Sequence, residues 1–162
     1  MRPAHFARTL VAFVLLVLLH FTLRPLLGWR VGPDFLVIAL LLIAIRVRPG
    51  TAAVLGLVMG IVADSMELHA FGAGALAMST VGFAASWLKA VFFADDMLLN
   101  ATFFFVGKWA FDAIFLLAEH RLGTGELLTE LLVWSPITAV VTALWGLLTL
   151  LILRPILRAS RT

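Results

Sequence analysis

Two ionisable residues, Lys108 and Asp112, lie inside a long apolar run and are the side chains best placed to do chemistry in this chain. The run covers residues 97–118, so both fall near the middle of a predicted membrane-spanning helix. Their spacing of four puts them on one helical face, which Glu119 continues. Ionisable groups at that depth cost roughly 2.5 to 3.5 kcal/mol each to insert, so they mark a candidate functional site.

Two interpretations of the Lys108 and Asp112 pair are open. The side chains could neutralise each other within the helix and only orient it toward the protein interior. Alternatively, they could form a polar site for a partner or a small solute. Proton transport is the less favoured chemistry, because no second predicted helix supplies an acid at the same depth.

A strip of small residues that ends in an acid is the second candidate site. Gly56 and Gly60 are four residues apart, and Asp64 follows at the same spacing on the same helical face. Small residues let another helix backbone approach closely. The strip is predicted either to pack against the next helix, which begins near Gly72, or to receive the helix of a partner. Gly56, Gly60, Asp64 and Gly72 are our candidates for partner binding.

Two acids near predicted helix ends have structural explanations that compete with a functional role. Asp34 falls in the first turn of a predicted helix, where a carboxylate suits the helix dipole, so helix capping is expected. Asp64 lies about one turn inside the end of its helix. We expect it to pair with an arginine such as Arg24 or Arg30, or to accept a donor from a partner.

Patterns typical of catalysis or metal binding are missing from the sequence. The four histidines are dispersed, and none forms a pair with metal-ligand spacing. The chain has no cysteine, which excludes thiol catalysis and disulfides. It also has no Gly-x-Ser-x-Gly or Walker motif. We therefore predict that the protein is not an enzyme and has no cofactor or metal.

The composition assigns the chain to the integral membrane proteins. Apolar residues make up 63% of the 162 residues, charged residues 13%, and the mean hydropathy is +1.11. Soluble domains have about 25% charged residues. Basic residues are scattered at segment ends rather than gathered on one face, so nucleic-acid binding is not expected.

Six apolar segments predict an all-α bundle of six transmembrane helices in a single domain. They cover residues 6–23, 33–45, 51–68, 72–88, 97–118 and 136–153. Ser135 and Pro136 are predicted to cap and begin the last helix, and Pro49 to follow the end of the second. The stretch between Glu119 and Ser135 fits either a short amphipathic helix at the membrane interface or a plain loop.

Lysine and arginine counts predict the orientation. With the N-terminus in the cytoplasm, eight of these residues lie on the cytoplasmic side, three lie outside, and Lys108 lies within the membrane. Because cytoplasmic loops are enriched in lysine and arginine, both termini are predicted to be cytoplasmic.

Several motifs together resemble the rod shape-determining protein MreD family. They are GPDFLVIALLLIAI at 32–45 with a short basic loop after it, GLVMGIVAD at 56–64, FGAGALAMSTVGF at 71–83 and FDAIFLLAE at 111–119. The likeness covers about residues 6–158. It matches at Pro33, Gly56, Gly60, Asp64 and Gly72, and more loosely at Asp112 and Glu119. Lys108 departs from the family pattern.

The resemblance implies a scaffold of the bacterial cell-elongation machinery in the plasma membrane, among membrane lipids. Its direct partner would be MreC. The filament protein MreB, the glycosyltransferase RodA and a class B penicillin-binding protein would belong to the same complex. The fold would resemble the substrate-binding subunit of energy-coupling-factor transporters. That likeness supplies the alternative function, a subunit that binds a small vitamin, although the short charged outer loops favour the scaffold.

Overall fold

The computed structural model describes residues 14–22, 32–66, 71–92, 96–120 and 123–158, and all regular structure within them is helical. The predicted all-α class is therefore confirmed for these residues. Residues 14–22 form the described part of helix α1. The other helices are α2 (Phe35–Ala44), α3 (Pro49–Asp64), α4 (Ala73–Phe92), α5 (Met97–Glu119), α6 (Thr124–Thr129) and α7 (Ser135–Arg158).

Several helix boundaries differ from the predicted ones. Helix α3 begins at Pro49, because a proline in the first helical turn loses no hydrogen bond, and it ends at Asp64 rather than at residue 68. Helix α4 continues to Phe92, four residues beyond the predicted end at 88. Of the predicted first segment, only 14–22 lies within the described residues.

The last helix begins at Ser135, within one residue of the predicted start at 136, but Ser135 is itself helical and does not cap a free helix end. A π-helical turn, Glu130–Trp134, joins α6 to α7 without an intervening loop. In a π-helical turn each carbonyl accepts a hydrogen bond from the N–H five residues later, as the Glu130 carbonyl does from the Ser135 N–H. Leu131 would accept from Pro136, which has no N–H. The indole N–H of Trp109 in α5 donates to the Leu131 carbonyl instead, at 3.2 Å.

Helix α2 forms the centre of the core. Its ten residues span only about 15 Å, and Val37, Ile38, Leu40 and Leu41 have no measurable exposure. It contacts α3, α4, α5 and α7. A helix that is apolar on every face and has eight of its ten residues buried is a core element rather than a lipid-facing one.

Helices α3 and α4 pack closely because glycines remove the side chains between their backbones. A methyl group on Gly60 would come within 2.6 Å of the backbone nitrogen of Ala75. One on Gly56 would come within 2.7 Å of the carbonyl carbon of Met78. Real Cβ atoms do not approach backbone so closely, so neither position accepts a side chain without a shift of α4. The glycine strip therefore packs inside the chain, which is one of the two predicted alternatives.

The outer surface of the bundle is apolar, as expected for a protein in lipid. Among the residues that the structure describes, two helical stretches, Met97–Glu119 and Thr124–Ile152, are long and apolar enough to cross a membrane. Large apolar side chains point outward on several helices, including Trp87, which is 72% exposed, and Leu98, which is 74% exposed. In water such a surface would drive aggregation, whereas in a bilayer it contacts acyl chains.

A matched pair of glycines in α3 tests the close packing against α4. We expect Gly60→Ala to lower the free energy of unfolding by about 1 to 3 kcal/mol, because the added methyl group must push the α4 backbone away. Gly50 lies in the same helix with open space around it, so Gly50→Ala should be neutral or stabilising. Unfolding titrations in mixed micelles measure the free energy of unfolding of both variants. Equal losses at the two positions would contradict the close packing of α3 against α4.

Candidate functional site

Lys108 lies between two carboxylates in the buried interior of the bundle. Its Nζ donates to Asp112 Oδ1 at 2.6 Å and to Asp34 Oδ2 at 3.0 Å. The first contact joins residues one turn apart in α5, as the spacing predicted. The second joins α5 to α2 across 74 residues of sequence, and no local sequence pattern indicates it. We call Lys108, Asp34 and Asp112 the ion-pair network.

Asp34 performs the predicted capping role and several others. Its Oδ1 accepts the backbone N–H of Val37 at 3.2 Å at the start of α2, which confirms the capping. The Nδ1 of His20 in α1 lies 3.5 Å from the same oxygen. The backbone N–H of Asp34 donates to the Thr142 hydroxyl of α7 at 3.1 Å. Asp34 therefore contacts three other helices besides its own.

Asp112 extends the network to the same helix α7. The hydroxyl of Thr138 donates to Asp112 Oδ2 at 3.3 Å, and also to the carbonyl of Ser135 at 2.9 Å. The sequence alone indicated neither Thr138, Thr142 nor His20 as part of the site. Both threonines lie within about two turns of the start of α7.

Asp64 is buried and caps the following helix. Its Oδ2 accepts the backbone N–H groups of Gly72 at 2.8 Å and Ala75 at 3.0 Å, at the start of α4. Gly72 has a φ of 99°, in the left-handed region that favours glycine. A side chain on Gly74 would overlap the Asp64 carboxylate. The sequence-based expectation for Asp64 was an arginine or a partner's donor, and it did not include the capping of α4. Arg24 and Arg30 lie outside the described residues.

A cavity of about 530 Å³ opens beside the ion-pair network. Its described lining has a charged and polar part, formed by His20, Asp34, Asp64, Lys108 and Asp112. The apolar part comes from Phe21, Leu36, Ala63, Met66, Gly74, Met78, Phe111 and Phe115. The lining thus combines the end of α3 with the starts of α2 and α4, so the cavity lies at one end of the bundle.

The predicted site residues separate into three groups. Lys108, Asp112 and Asp64 line the cavity. Gly56 and Gly60 lie in the contact between α3 and α4. Glu119 ends α5 about two turns beyond Asp112, and it is not among the described residues that line the cavity. No group of three or more potential metal ligands occurs in the described part of the chain.

Comparison with known families identifies the chain. The sequence of residues 4–158 matches the family model of the rod shape-determining protein MreD. The chain belongs to the MreD family. No curated protein and no solved structure gives a match.

MreD membership confirms the predicted family and the predicted class of a rod shape-determining membrane protein. It also agrees with the prediction that the chain is not an enzyme, since MreD is a non-enzymatic shape-determining protein. The likeness to the transporter subunit fold has no support from these comparisons and stays a prediction.

Substitutions in the ion-pair network should differ in severity according to how many contacts they remove. Lys108→Met removes the ammonium that both carboxylates share, and we expect a loss of about 3 to 5 kcal/mol in unfolding free energy. Asp112→Asn keeps an oxygen acceptor for Lys108, so a loss of about 1 to 2 kcal/mol is expected.

The double variant Lys108→Met with Asp112→Asn provides the control for this prediction. It should be more stable than Lys108→Met alone, because it removes one of the two buried negative charges together with the ammonium. Unfolding titrations of the purified proteins measure all three variants. A double variant that is less stable than either single variant would show that the residues act separately.

Proposed function

We propose that this MreD-family chain is a non-enzymatic membrane scaffold of the bacterial cell-elongation machinery that docks MreC directly. The match to the family over residues 4–158 is the observation that carries the proposal. Under it, the chain belongs to the same complex as MreB, RodA and a class B penicillin-binding protein. It would support peptidoglycan synthesis along the wall without reacting with a substrate itself.

The fold supports docking through a rigid surface made by packed helices. Gly56 and Gly60 hold α3 against α4, and the opposite face of α3 exposes Val54, Val58 and Ile61. Asp64 fixes the start of α4 at the end of the same pair. We propose that the glycines and Asp64 support MreC binding by holding this pair in shape, because their own surfaces are already covered by α4.

The distribution of charge supports an orientation with both termini in the cytoplasm. Arg46 and Arg48 form a short basic turn after α2, and Lys89 of α4 donates to the Val47 carbonyl in that turn at 2.8 Å. Asp34 and Asp64 lie at the other ends of these helices. Since cytoplasmic loops favour lysine and arginine, we place the basic end in the cytoplasm and the cavity on the outer side.

The alternative function, a vitamin-binding subunit of an energy-coupling-factor transporter, is favoured by one observation. The cavity volume of about 530 Å³ falls within the roughly 300 to 1,000 Å³ typical of small-molecule sites. The charged groups of its wall are, however, already engaged with one another and with backbone amides. This arrangement suits a structural support better than a set of groups kept open for a neutral vitamin.

Co-purification from native membranes separates the two functions. We expect the tagged wild-type protein to retain MreC in detergent and no ATPase coupling module. Gly60→Leu and Asp64→Ala should each reduce the retained MreC several-fold, because both disturb the α3 and α4 pair. Gly50→Leu, at an open position of the same helix, is the matched control and should retain MreC.

Membrane abundance of each variant, measured in parallel, distinguishes lost folding from lost docking. Wild-type protein that is present at normal abundance but never retains MreC would end the scaffold proposal. Retention of an ATPase coupling module would replace it with the transporter function.

Cysteine labelling tests the orientation cleanly, because the chain has no native cysteine. A cysteine at Ser160 should be shielded from a membrane-impermeant reagent in intact cells, whereas one at Thr124 should react. The expectation follows from the charge asymmetry between the two ends of the bundle. Labelling at Ser160 in intact cells, with protection at Thr124, would reverse the orientation.

A further inference from the structure

Three basic side chains converge at the end of the bundle opposite the cavity. Arg46 and Arg48 flank Val47 in the turn between α2 and α3, and the Lys89 Nζ of α4 donates to the Val47 carbonyl at 2.8 Å. The hydroxyl of Ser86, one turn earlier in α4, donates to the same carbonyl at 2.7 Å. Two hydrogen bonds therefore fix this turn against α4. We call Arg46, Arg48 and Lys89 the basic cluster.

The positive charge of the basic cluster is not neutralised by the protein itself. In the part of the chain that the structure describes, no carboxylate forms an ion pair with any of its three members. Asp96, an acid at the same end of the bundle, caps α5 by accepting the Leu98 N–H at 2.8 Å. Burial of part of the Arg46 side chain lowers the pKa of its guanidinium, because the charged form loses water there. An anion from outside the chain would supply the counter-charge.

The donors of the basic cluster suit a phosphate group. Guanidinium groups bind phosphate oxygens through paired N–H donors, and the Lys89 ammonium keeps donors available after one is used by the Val47 carbonyl. The turn leads directly into the start of α3, where Arg48 makes no side-chain cap and a methyl group on Gly50 would meet no atom within 4 Å. The start of a helix favours negative charge, so it acts in the same direction as the side chains.

Exposed aromatic side chains place the basic cluster at the level of lipid headgroups. Trp87, two residues before Lys89, is 72% exposed, and tryptophan concentrates where a bilayer meets water. Phe83, one turn deeper in α4, is 49% exposed and in a bilayer contacts acyl chains. Cations next to an exposed apolar surface match a molecule with an anionic head and hydrocarbon tails. A soluble acidic molecule would use the charges but not the apolar surface.

We propose that the basic cluster binds the headgroup of an anionic phospholipid, with Arg46 and Arg48 donating to the phosphate oxygens and Lys89 adding positive charge beside them. Under the orientation proposed above, this end of the bundle lies in the cytoplasmic leaflet, where clustered basic residues attract anionic headgroups. The proposal does not rest on MreC docking, and a binding test in detergent does not depend on the orientation. Each of the three can therefore fail without the others.

Two lipids with the same acyl chains test the site. Delipidated full-length protein in detergent is exposed separately to dioleoyl phosphatidylglycerol, which is anionic, and to dioleoyl phosphatidylcholine, which has the same phosphate but no net charge. Native mass spectrometry measures the lipid retained. We expect the anionic lipid to be retained about tenfold better, because choline compensates the phosphate charge in the other. Equal retention of the two lipids would overturn the proposal.

Arginine variants with a matched control locate the binding. Arg46→Gln with Arg48→Gln should reduce the preference for the anionic lipid to about twofold or less, whereas Arg46→Lys with Arg48→Lys, which keeps the charges, should retain at least about threefold. Arg154→Gln with Arg158→Gln removes the same charge from α7 and should leave the preference within about twofold of the wild type. Equal losses in the two glutamine variants would indicate a general charge effect and overturn the assignment to the basic cluster.

Thermal unfolding midpoints, measured in parallel, separate lost binding from lost folding. Arg46 and Arg48 are both exposed, so their replacement should leave the midpoint of the lipid-free protein unchanged. If the glutamine variant does not fold, the lysine variant and the two lipids on the wild type still decide. A midpoint raised by inorganic phosphate, without any preference between the lipids, would assign the cluster to a soluble anion and overturn the lipid proposal.

Discussion

The Lys108 ammonium lies in the apolar interior of the bundle, 3.0 Å from the Asp34 carboxylate and 2.6 Å from that of Asp112. Charges removed from water are stabilised only where opposite charges and hydrogen-bond partners are placed with good geometry. This requirement is directional, unlike apolar packing, so it specifies how α2 sits against α5. The threonines that contact the two carboxylate residues bring α7 into the same arrangement.

A different principle organises α3 and α4. Their contact depends on the absence of side chains at Gly56 and Gly60, which lets the backbones approach, and on one carboxylate that caps the start of α4. In a membrane the hydrophobic effect does not drive helices together, so close van der Waals packing of small residues does much of this work. The bundle thus combines two helices held by close backbone packing, α3 and α4, with three helices held by ion pairs and hydrogen bonds, α2, α5 and α7.

The sequence predicted the features that depend on local spacing. Lys108 and Asp112 are one turn apart, and the glycines and Asp64 repeat every fourth residue, so their shared faces follow from helix geometry alone. The contact of Lys108 with Asp34 depends on how two helices far apart in sequence pack, and no local pattern encodes it. Pro136 marked the start of α7 to within one residue but did not indicate the π-helical turn before it, because a first-turn proline and a proline after a π-helical turn look alike in sequence. The Trp109 indole that satisfies the Leu131 carbonyl comes from another helix.

The short buried helix α2 constrains the order in which the chain is inserted into the membrane during synthesis. Its ten residues are about half the length that partitions independently into a bilayer, and it starts at the charged Asp34. The groups that contact Asp34 from α5 and α7 lie 74 and 108 residues later in the chain. Helix α2 therefore completes its buried contacts only after α5 and α7 have been translated.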